Sequence, residues 1–418
     1  MYRMLRSPIF KSSLLTIGFT AIIHISNYIY TLVCVRFLNP HEYSDLALIV
    51  SFYSLTGVFA ATLANTSLSL LSRNRHTENY KGLKSTILHT STVALYAVFI
   101  LTLIILTPVI HLAFGVESIP EIIIILTTGI FSIGNGLLAM HFQLQKRFII
   151  NGFFGVNSAL LKLLFSFILL YFGYKILGVS IALFLSGLLS FLFFYPKKDI
   201  GSYASLVILE NRHIESAKAF LKSHKRFILK NLISALAIII CTILDTLLAK
   251  KLLSPDSAAQ YIGMATLAKL FFYTTTAISV VIFPYLLHKE STTPKRIIFR
   301  LFMFMLFLAG VISMFVSIMF PTQIIKLILG AAYTLEANKL AYILSASIAA
   351  SFASVAINLS SLLDAAHFNK NIIVIATLSI VILFLAQPTS ITALSLCLSV
   401  VFAISFIVLY NNCIKKHL

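Results

Sequence analysis

Long runs of apolar residues recur along the whole chain and are separated by short polar segments. Crossing the roughly 30 Å hydrocarbon core of a bilayer takes about 20 apolar residues in a helix. The pattern predicts about twelve such spans, at 12–35, 43–70, 84–113, 120–144, 148–171, 176–195, 228–249, 258–287, 297–320, 338–363, 371–386 and 390–411. We therefore expect an all-α, polytopic membrane protein.

The composition agrees with this pattern and leaves no room for a sizeable soluble domain. Of the 418 residues, 59% are hydrophobic and 11% are charged, and the mean hydropathy is +0.98. A soluble domain carries about 25% charged residues, so most side chains here are expected to face lipid or other helices. The first run, 12–35, is too long for the hydrophobic part of a signal peptide and is expected to remain as the first span.

The formal charge of +19 is distributed unevenly among the loops. Lys and Arg residues concentrate in alternate connections, at 1–11, 71–84, 145–147, 196–230, 288–300 and 415–418. Cytoplasmic loops of membrane proteins carry such an excess. We therefore expect both termini in the cytoplasm, and the basic character requires no nucleic-acid partner.

The two halves of the chain repeat in the same orientation. The stretch TLVCVRFLNPHEYSDLAL (31–48) matches TLLAKKLLSPDSAAQYIG (246–263). A constant shift of 215 positions aligns Arg36 with Lys251, Leu38 with Leu253 and Pro40 with Pro255. Parallel repeats of six spans are typical of transporters that handle substrate near mid-membrane. We expect an N-terminal lobe (1–195), a basic cytoplasmic connecting loop (196–227) and a C-terminal lobe (228–418).

Two features of this repeat have more than one interpretation. Spans four and ten carry matching stripes of small or polar residues, which include Asn135 and Asn358 and either line a cavity or form packing seams. The basic segment 196–227 is either a tether between the lobes or an amphipathic helix on an anionic lipid surface.

Charged residues inside spans are costly and are therefore candidates for function. Lys162 lies well inside span five and Lys269 lies inside span eight, and each could bind an anion. The alternatives are that each side chain reaches an interface or pairs with an acid. Arg36 and Lys251 end equivalent spans at the expected periplasmic face, where they either bind an anionic substrate or anchor the helices.

Three aspartates, Asp45, Asp245 and Asp364, are candidates for counter-charges to these lysines or for H⁺ or Na⁺ coupling. Of these roles we favour structural ion pairing. On span one, His24 and Asn27 share one helical face with two threonines and are expected to line the cavity.

Motifs that indicate an enzyme are missing from the sequence. There is no GxxxxGK[ST] phosphate loop, no HExxH and no GxSxG, and the four cysteines have no metal-ligand spacing. We therefore expect no catalytic residues, no metal and no cofactor other than a possible coupling ion.

The stretch VRFLNPHEYSDLALIVSF (35–52) resembles a signature of Wzx-type flippases, which export O-antigen or capsule repeat units. These belong to the multidrug/oligosaccharidyl-lipid/polysaccharide exporter superfamily. The usual form, Arg-x-Leu-Gly-Pro-x-Glu-Tyr-Gly, is met by Arg36, Leu38, Pro40, Glu42 and Tyr43. The chain departs from it at Asn39 and Ser44, where glycines are usual. Asp245 also matches a common family feature, but Thr246 stands where an Arg often follows.

This resemblance implies two six-helix lobes around a central, cationic cavity in the bacterial inner membrane. It implies that the protein carries undecaprenyl-diphosphate-linked oligosaccharide from the cytoplasmic to the periplasmic leaflet by alternating access. Membrane lipids are implied partners, and the polysaccharide polymerase and chain-length machinery are candidate partners. A monomer is expected, because two lobes can enclose a cavity by themselves.

Three other functions are considered. A multidrug or cation antiporter of the same superfamily would share the fold, but its pocket should be acidic or aromatic. A membrane-embedded glycan polymerase typically needs a long periplasmic loop, whereas the predicted periplasmic loops here are short. A lipid II flippase tends to carry spans beyond twelve.

Overall fold

A computed structural model describes residues 8–73, 80–194, 211–287, 295–363 and 368–415. Over these ranges the regular structure is helical. The α-helices are α1 (Pro8–Phe37), α2 (Pro40–Arg73), α3 (Tyr80–Ile100), α4 (Ile119–Leu144), α5 (Phe148–Tyr171), α6 (Lys175–Phe194), α7 (Asn211–Leu252), α8 (Pro255–Leu287), α9 (Lys295–Met319), α10 (Pro321–Ile328), α11 (Leu340–Leu362), α12 (Phe368–Ala386) and α13 (Ile391–Leu409). Two π-helical stretches, Leu101–Leu106 and Val109–Ala113, extend α3, and a third, Tyr410–Ile414, extends α13.

Eleven of the described helices are long and apolar enough to cross a membrane. The 33-residue helix α8 occupies the position of the predicted eighth span. The all-α architecture with about twelve long helices is therefore confirmed, and the chain is a multi-pass integral membrane protein. The predicted limits of span five coincide with those of α5, whereas α10 was not predicted because eight residues are too few for a span.

The turn between α1 and α2 is held by hydrogen bonds between Asn39 and Glu42. The Asn39 side-chain oxygen accepts a hydrogen bond from the Glu42 backbone N–H (2.9 Å), and the Glu42 carboxylate accepts one from the Asn39 N–H (3.2 Å). This reciprocal arrangement is a capping box, which satisfies backbone donors at a helix start. Pro40 fits the first helical position, where no N–H is needed. Three of the signature positions therefore begin α2.

Residues 211–227 form the first part of α7, although we expected them in the connecting loop. The helix bends at His224, whose φ of −113° and ψ of 15° depart from helical values. The side chains of His213, Ala217 and Phe220 recur on one face and are buried, and burial of that face stabilises the helix. Residues 211–224 are therefore an amphipathic helix whose buried face packs within the N-unit. Its placement on a lipid surface stays a prediction, and residues 195–210 lie outside the described ranges.

The chain divides into two compact units whose limits differ from the predicted lobes. The N-unit comprises Met1–Tyr30 and Phe52–Ala235, and the C-unit comprises Thr31–Ser51 and Leu236–Leu418. The end of α1 and the start of α2 thus belong to the C-unit. One reason is a buried hydrogen bond of 2.6 Å between the Tyr43 and Thr266 hydroxyl groups.

The N-unit is held by an apolar cluster to which α2, α3, α4 and α7 contribute. Its buried members are Ala60, Leu71, Ile87, Leu88, Val98, Ile133, Leu137, Met140 and Phe220. Phe220 lies in the amphipathic first part of α7, which begins at Asn211. Its contact with the core therefore holds this part of the helix in the N-unit. Between membrane helices such a cluster is stabilised by close van der Waals packing of its side chains.

In the C-unit, α11 packs mainly against α8 and α13. Its predicted stripe includes Ser347, Ser351 and Ser354, which are buried. The Ser351 hydroxyl donates to the Ser347 carbonyl and the Ser354 hydroxyl donates to the Ser351 carbonyl, each at 2.8 Å. The hydroxyls are thus satisfied within their own helix, and their small size lets neighbouring helices approach. At Ser351 and Ser354 the stripe is therefore a packing seam.

Candidate functional site

Arg36 lies at the end of α1 and binds the last turn of α10. Its Nε donates to the carbonyl of Ile328 at 2.8 Å, and a second guanidinium nitrogen donates to the carbonyl of Leu327. The final carbonyls of a helix lack partners within it and favour a nearby cation. Arg36 therefore has a structural role as a helix cap, and its contact with a diphosphate stays a prediction. Lys251, its counterpart in the repeat, is exposed at the end of α7.

Asp45 forms an ion pair with Lys250, a residue that sequence reasoning did not select. The Lys250 ammonium lies 2.5 Å from the Asp45 carboxylate and 3.3 Å from the Ser44 hydroxyl. These residues lie in the C-unit, near the start of α2 and the end of α7. The expected balancing of Asp45 by a lysine is thus present. The sequence feature that could have pointed to Lys250 is the Lys250-Lys251 doublet at the end of a predicted span.

Asp245 and Lys269 form a second, more deeply buried pair between α7 and α8. Their charged atoms lie 3.0 Å apart, and 12% and 18% of the respective side chains are exposed. The Lys269 ammonium also donates to the Thr246 hydroxyl at 3.0 Å, and the Thr246 N–H donates to Asp245 at 2.7 Å. A buried charge is tolerated when it is paired and hydrogen-bonded. The structure therefore shows Lys269 as the counter-charge of an acid.

A small cavity borders the Asp245–Lys269 pair. It measures about 10 Å³ and is lined in part by Cys241, Thr242 and Ser347. That volume corresponds to roughly one water molecule. The pair is therefore enclosed by packed side chains within the C-unit.

In the N-unit, Lys162 on α5 contacts two residues of α1. Its ammonium donates to the Asn27 side-chain oxygen at 2.5 Å and lies 4.4 Å from the centre of the Tyr30 ring. An ammonium group near an aromatic face is favourable, more so when it is removed from water. We name Asn27, Tyr30 and Lys162 the Lys162 cluster. The structure thus joins two residues that the sequence singled out separately, and adds Tyr30, which follows Asn27 by three positions on the same helical face.

Two more polar residues accompany the Lys162 cluster along its helices. Ser166, four residues after Lys162 on α5, is buried, and its hydroxyl has no hydrogen-bond partner among the described residues. His24 is half-buried and lies three residues before Asn27 on α1.

The other selected residues occupy separate places. Asn135 on α4 is half-buried, and its side-chain oxygen is buried without a hydrogen-bond partner within the described ranges. Asn358 is half-buried near the end of α11. Asp364 lies outside the described residues. Over the part of the chain that the structure covers, no three His, Cys, Asp or Glu side chains gather in a way that could hold a metal ion.

Comparison of the structure with solved structures identifies the fold of this chain. No family model and no curated protein matches the sequence. The lipid II flippase MurJ in an inward closed conformation is 13% identical with a TM-score of 0.72, over 97% of this chain and 89% of that chain. A multidrug resistance MATE family transporter of the MOP superfamily, inward-facing, is 12% identical with a TM-score of 0.68, over 97% and 98%. A mutant of the Vibrio cholerae MATE transporter VcmN is 14% identical with a TM-score of 0.61, over 97% and 98%. The chain therefore has the fold of these transporters along nearly its whole length.

Proposed function

We propose that this protein is a flippase in the bacterial inner membrane. Its substrate is an oligosaccharide linked to undecaprenyl diphosphate, which it moves from the cytoplasmic to the periplasmic leaflet by alternating access. The observation that carries the proposal is the Lys162 cluster, in which a cation inside the predicted spans contacts Asn27 and Tyr30. A charged side chain within the membrane is costly and is retained for a function.

The charges inside the C-unit favour an anionic substrate over an organic cation. Asp45 and Asp245 each hold a lysine ammonium, at 2.5 Å and 3.0 Å. An organic cation or a sodium ion would have to displace a lysine from either carboxylate, at the cost of leaving that ammonium unpaired. A diphosphate instead needs hydrogen-bond donors that carry a positive charge, such as the ammonium group of Lys162.

The face of α1 that carries Asn27 suits the glycan. His24 and Asn27 are half-buried on one face, together with Thr20. Amide, imidazole and hydroxyl groups both donate and accept hydrogen bonds, as sugar hydroxyls require. We assign the diphosphate to Lys162 and the neighbouring sugars to this face. We propose that the protein acts as a monomer among membrane lipids and delivers its product to the polymerase and chain-length machinery.

The first experiment deletes the gene in the source bacterium and measures which membrane face exposes the lipid-linked glycan. Accumulation on the cytoplasmic face, with loss of surface polysaccharide, is the expected result. Unpolymerised units on the periplasmic face would instead identify a polymerase. Unchanged glycan together with altered drug sensitivity would identify a multidrug antiporter.

A variant of Lys162 tests the assigned residue. We expect Lys162→Gln to reduce glycan translocation in the deletion strain by about tenfold or more, because a charge-assisted hydrogen bond is worth about 1.5–3 kcal/mol. Lys162→Arg should retain most of the activity. Lys175→Gln, at an exposed lysine at the start of α6 in the same unit, is the matched control and should leave translocation unchanged. Full translocation by a normally inserted Lys162→Gln protein would remove this residue from the site.

A further inference from the structure

The N-unit contains a cavity that none of the three residues of the Lys162 cluster lines. This cavity of about 120 Å³ lies where α2 ends, α3 begins and α4 ends. Its walls are formed by Leu71, Tyr80, Lys84, Ile87, Leu88, Leu137, Met140, His141, Leu144 and Gln145. These helix ends adjoin the basic connections at 71–84 and 145–147, so the cavity lies at the level where the predicted spans leave the hydrocarbon.

Four of the ten residues that line the cavity are polar, and one of these, Lys84, carries a positive charge. Lys84 contributes an ammonium group with three donors, and Tyr80, His141 and Gln145 contribute groups that can donate hydrogen bonds. The Gln145 amide nitrogen and the His141 Nε2 lie 2.9 Å apart, which fixes both side chains at the wall. None of the described residues that line the cavity is acidic. An anion with several acceptor oxygens is therefore the complementary ligand.

The other six lining residues are apolar and belong to the N-unit core or pack against it. Leu71, Ile87, Leu88 and Leu137 are buried members of the N-unit cluster, and Leu144 packs against that cluster. These side chains offer no hydrogen bonds, so they suit hydrocarbon rather than a second polar group. A ligand that satisfies both the polar and the apolar lining residues is a phosphate group attached to a hydrocarbon chain.

The neighbouring surface of the N-unit is suited to attract such a ligand. Phe220 joins the same apolar cluster, which places the first part of α7 against it. On that helix Lys218, Lys222 and Lys225 are exposed. Clusters of exposed basic residues near a membrane attract anionic lipid headgroups.

We infer that this cavity is a binding site for the phosphate group of a membrane lipid. Lys84 binds the phosphate, with Gln145 and Tyr80 as further donors, and the leucines contact the first carbons of the chain. The site does not depend on the proposed transport activity, because its ligand is any lipid with an exposed phosphate.

Three probes separate the parts of this ligand. Full-length protein in a neutral detergent is titrated with dioleoyl phosphatidic acid, with dioleoylglycerol, which has the same chains without phosphate, and with sodium phosphate, which has no chain. We expect phosphatidic acid to bind about tenfold or more tightly than either other probe, because hydrogen bonds to charged groups contribute about 1.5–3 kcal/mol. Binding is measured by native mass spectrometry, without a transport readout.

Variants of the lining residues complete the test. We expect Lys84→Gln to weaken phosphatidic acid binding about tenfold and Lys84→Arg to preserve it. Lys146→Gln, at an exposed lysine just after α4 that does not line the cavity, is the matched control. If Lys84→Gln lowers the melting temperature, Leu144→Phe provides a second test, since it keeps the lysine and reduces room for the chain.

The possible results are distinct. Equal binding of phosphatidic acid and dioleoylglycerol would overturn the phosphate assignment. If sodium phosphate binds as tightly as phosphatidic acid, the site binds a soluble anion, and the assignment of a lipid ligand is wrong. If Lys84→Gln and Lys146→Gln weaken phosphatidic acid binding equally, the effect is one of general surface charge, and the assignment of the lipid to this cavity is wrong. Loss of glycan translocation in the deletion strain tests the flippase proposal separately.

Discussion

At the scale of single residues, the lysines inside the helices differ in what holds them. Lys250 and Lys269 are held by carboxylates, whereas the contacts of Lys162 include an amide oxygen and an aromatic ring. The first two arrangements neutralise charge within the C-unit. The third places a cation beside an amide oxygen and over an aromatic ring within the N-unit.

The Asp245–Lys269 pair should be important for stability. Replacing Asp245 by Asn leaves the Lys269 ammonium without its counter-charge, and breaking a buried pair costs about 3–5 kcal/mol. We expect a clear fall in the melting temperature of the detergent-purified protein. The double variant Asp245→Asn/Lys269→Met should recover most of that loss. Equal melting of the single and double variants would contradict this account.

Gly263 on α8 permits a close approach of Tyr333. A Cβ atom at this position would overlap the ring of Tyr333, and overpacking of this kind costs about 1–3 kcal/mol. We therefore expect Gly263→Ala to lower the melting temperature. Gly57→Ala is the control, because nothing lies within 4 Å of its added Cβ. If both variants melt alike, the ring of Tyr333 does not constrain α8.

At the scale of elements, α7 combines an amphipathic segment and an apolar membrane span in one helix. Residues 211–224 bury one face and expose lysines on the other, and the apolar membrane helix follows after the bend at His224. A search for apolar runs finds only the second part. The helical first part is explained by His213, Ala217 and Phe220, which recur at helical spacing and are buried.

The anchoring of this segment can be measured by proteolysis. Phe220 has 3% of its surface exposed and belongs to the N-unit core, whereas its neighbour Leu221 has 47% exposed. We expect Phe220→Ala to speed protease cleavage within 211–224 by about tenfold or more, since loss of a buried Phe costs about 3–5 kcal/mol. Leu221→Ala should change the cleavage rate little. Equal rates for both variants would show that the segment is not held by its buried face.

At the scale of the whole molecule, three helices contribute to both compact units. The limits of the units fall within α1, α2 and α7, at 30/31, 51/52 and 235/236. The same fold occurs in a lipid flippase and in multidrug transporters. A fold shared in this way does not decide the substrate, which depends on the site. For this chain, the interior charges and their partners are therefore the features that discriminate among the proposed functions.

The sequence alone determined the helical architecture and most helix limits. In lipid every backbone polar group must be satisfied within the segment, so an apolar run of sufficient length becomes a helix whatever its neighbours are. The limits of α5 and the capped start of α2 follow from residues a few positions apart. Sequence also selected Asn27 and Lys162, because polar residues stand out in an apolar span.

Only the tertiary structure decided the partners of these residues. Arg36 binds the end of a helix 292 positions away, Asp45 pairs with Lys250 rather than Lys269, and Lys162 meets Asn27 across 135 positions. The same structure revealed the cavity around Lys84, whose walls come from three helices. Hydropathy is a local property of the chain, whereas these contacts depend on how helices pack and turn about their axes, and that is fixed by many weak contacts between distant segments.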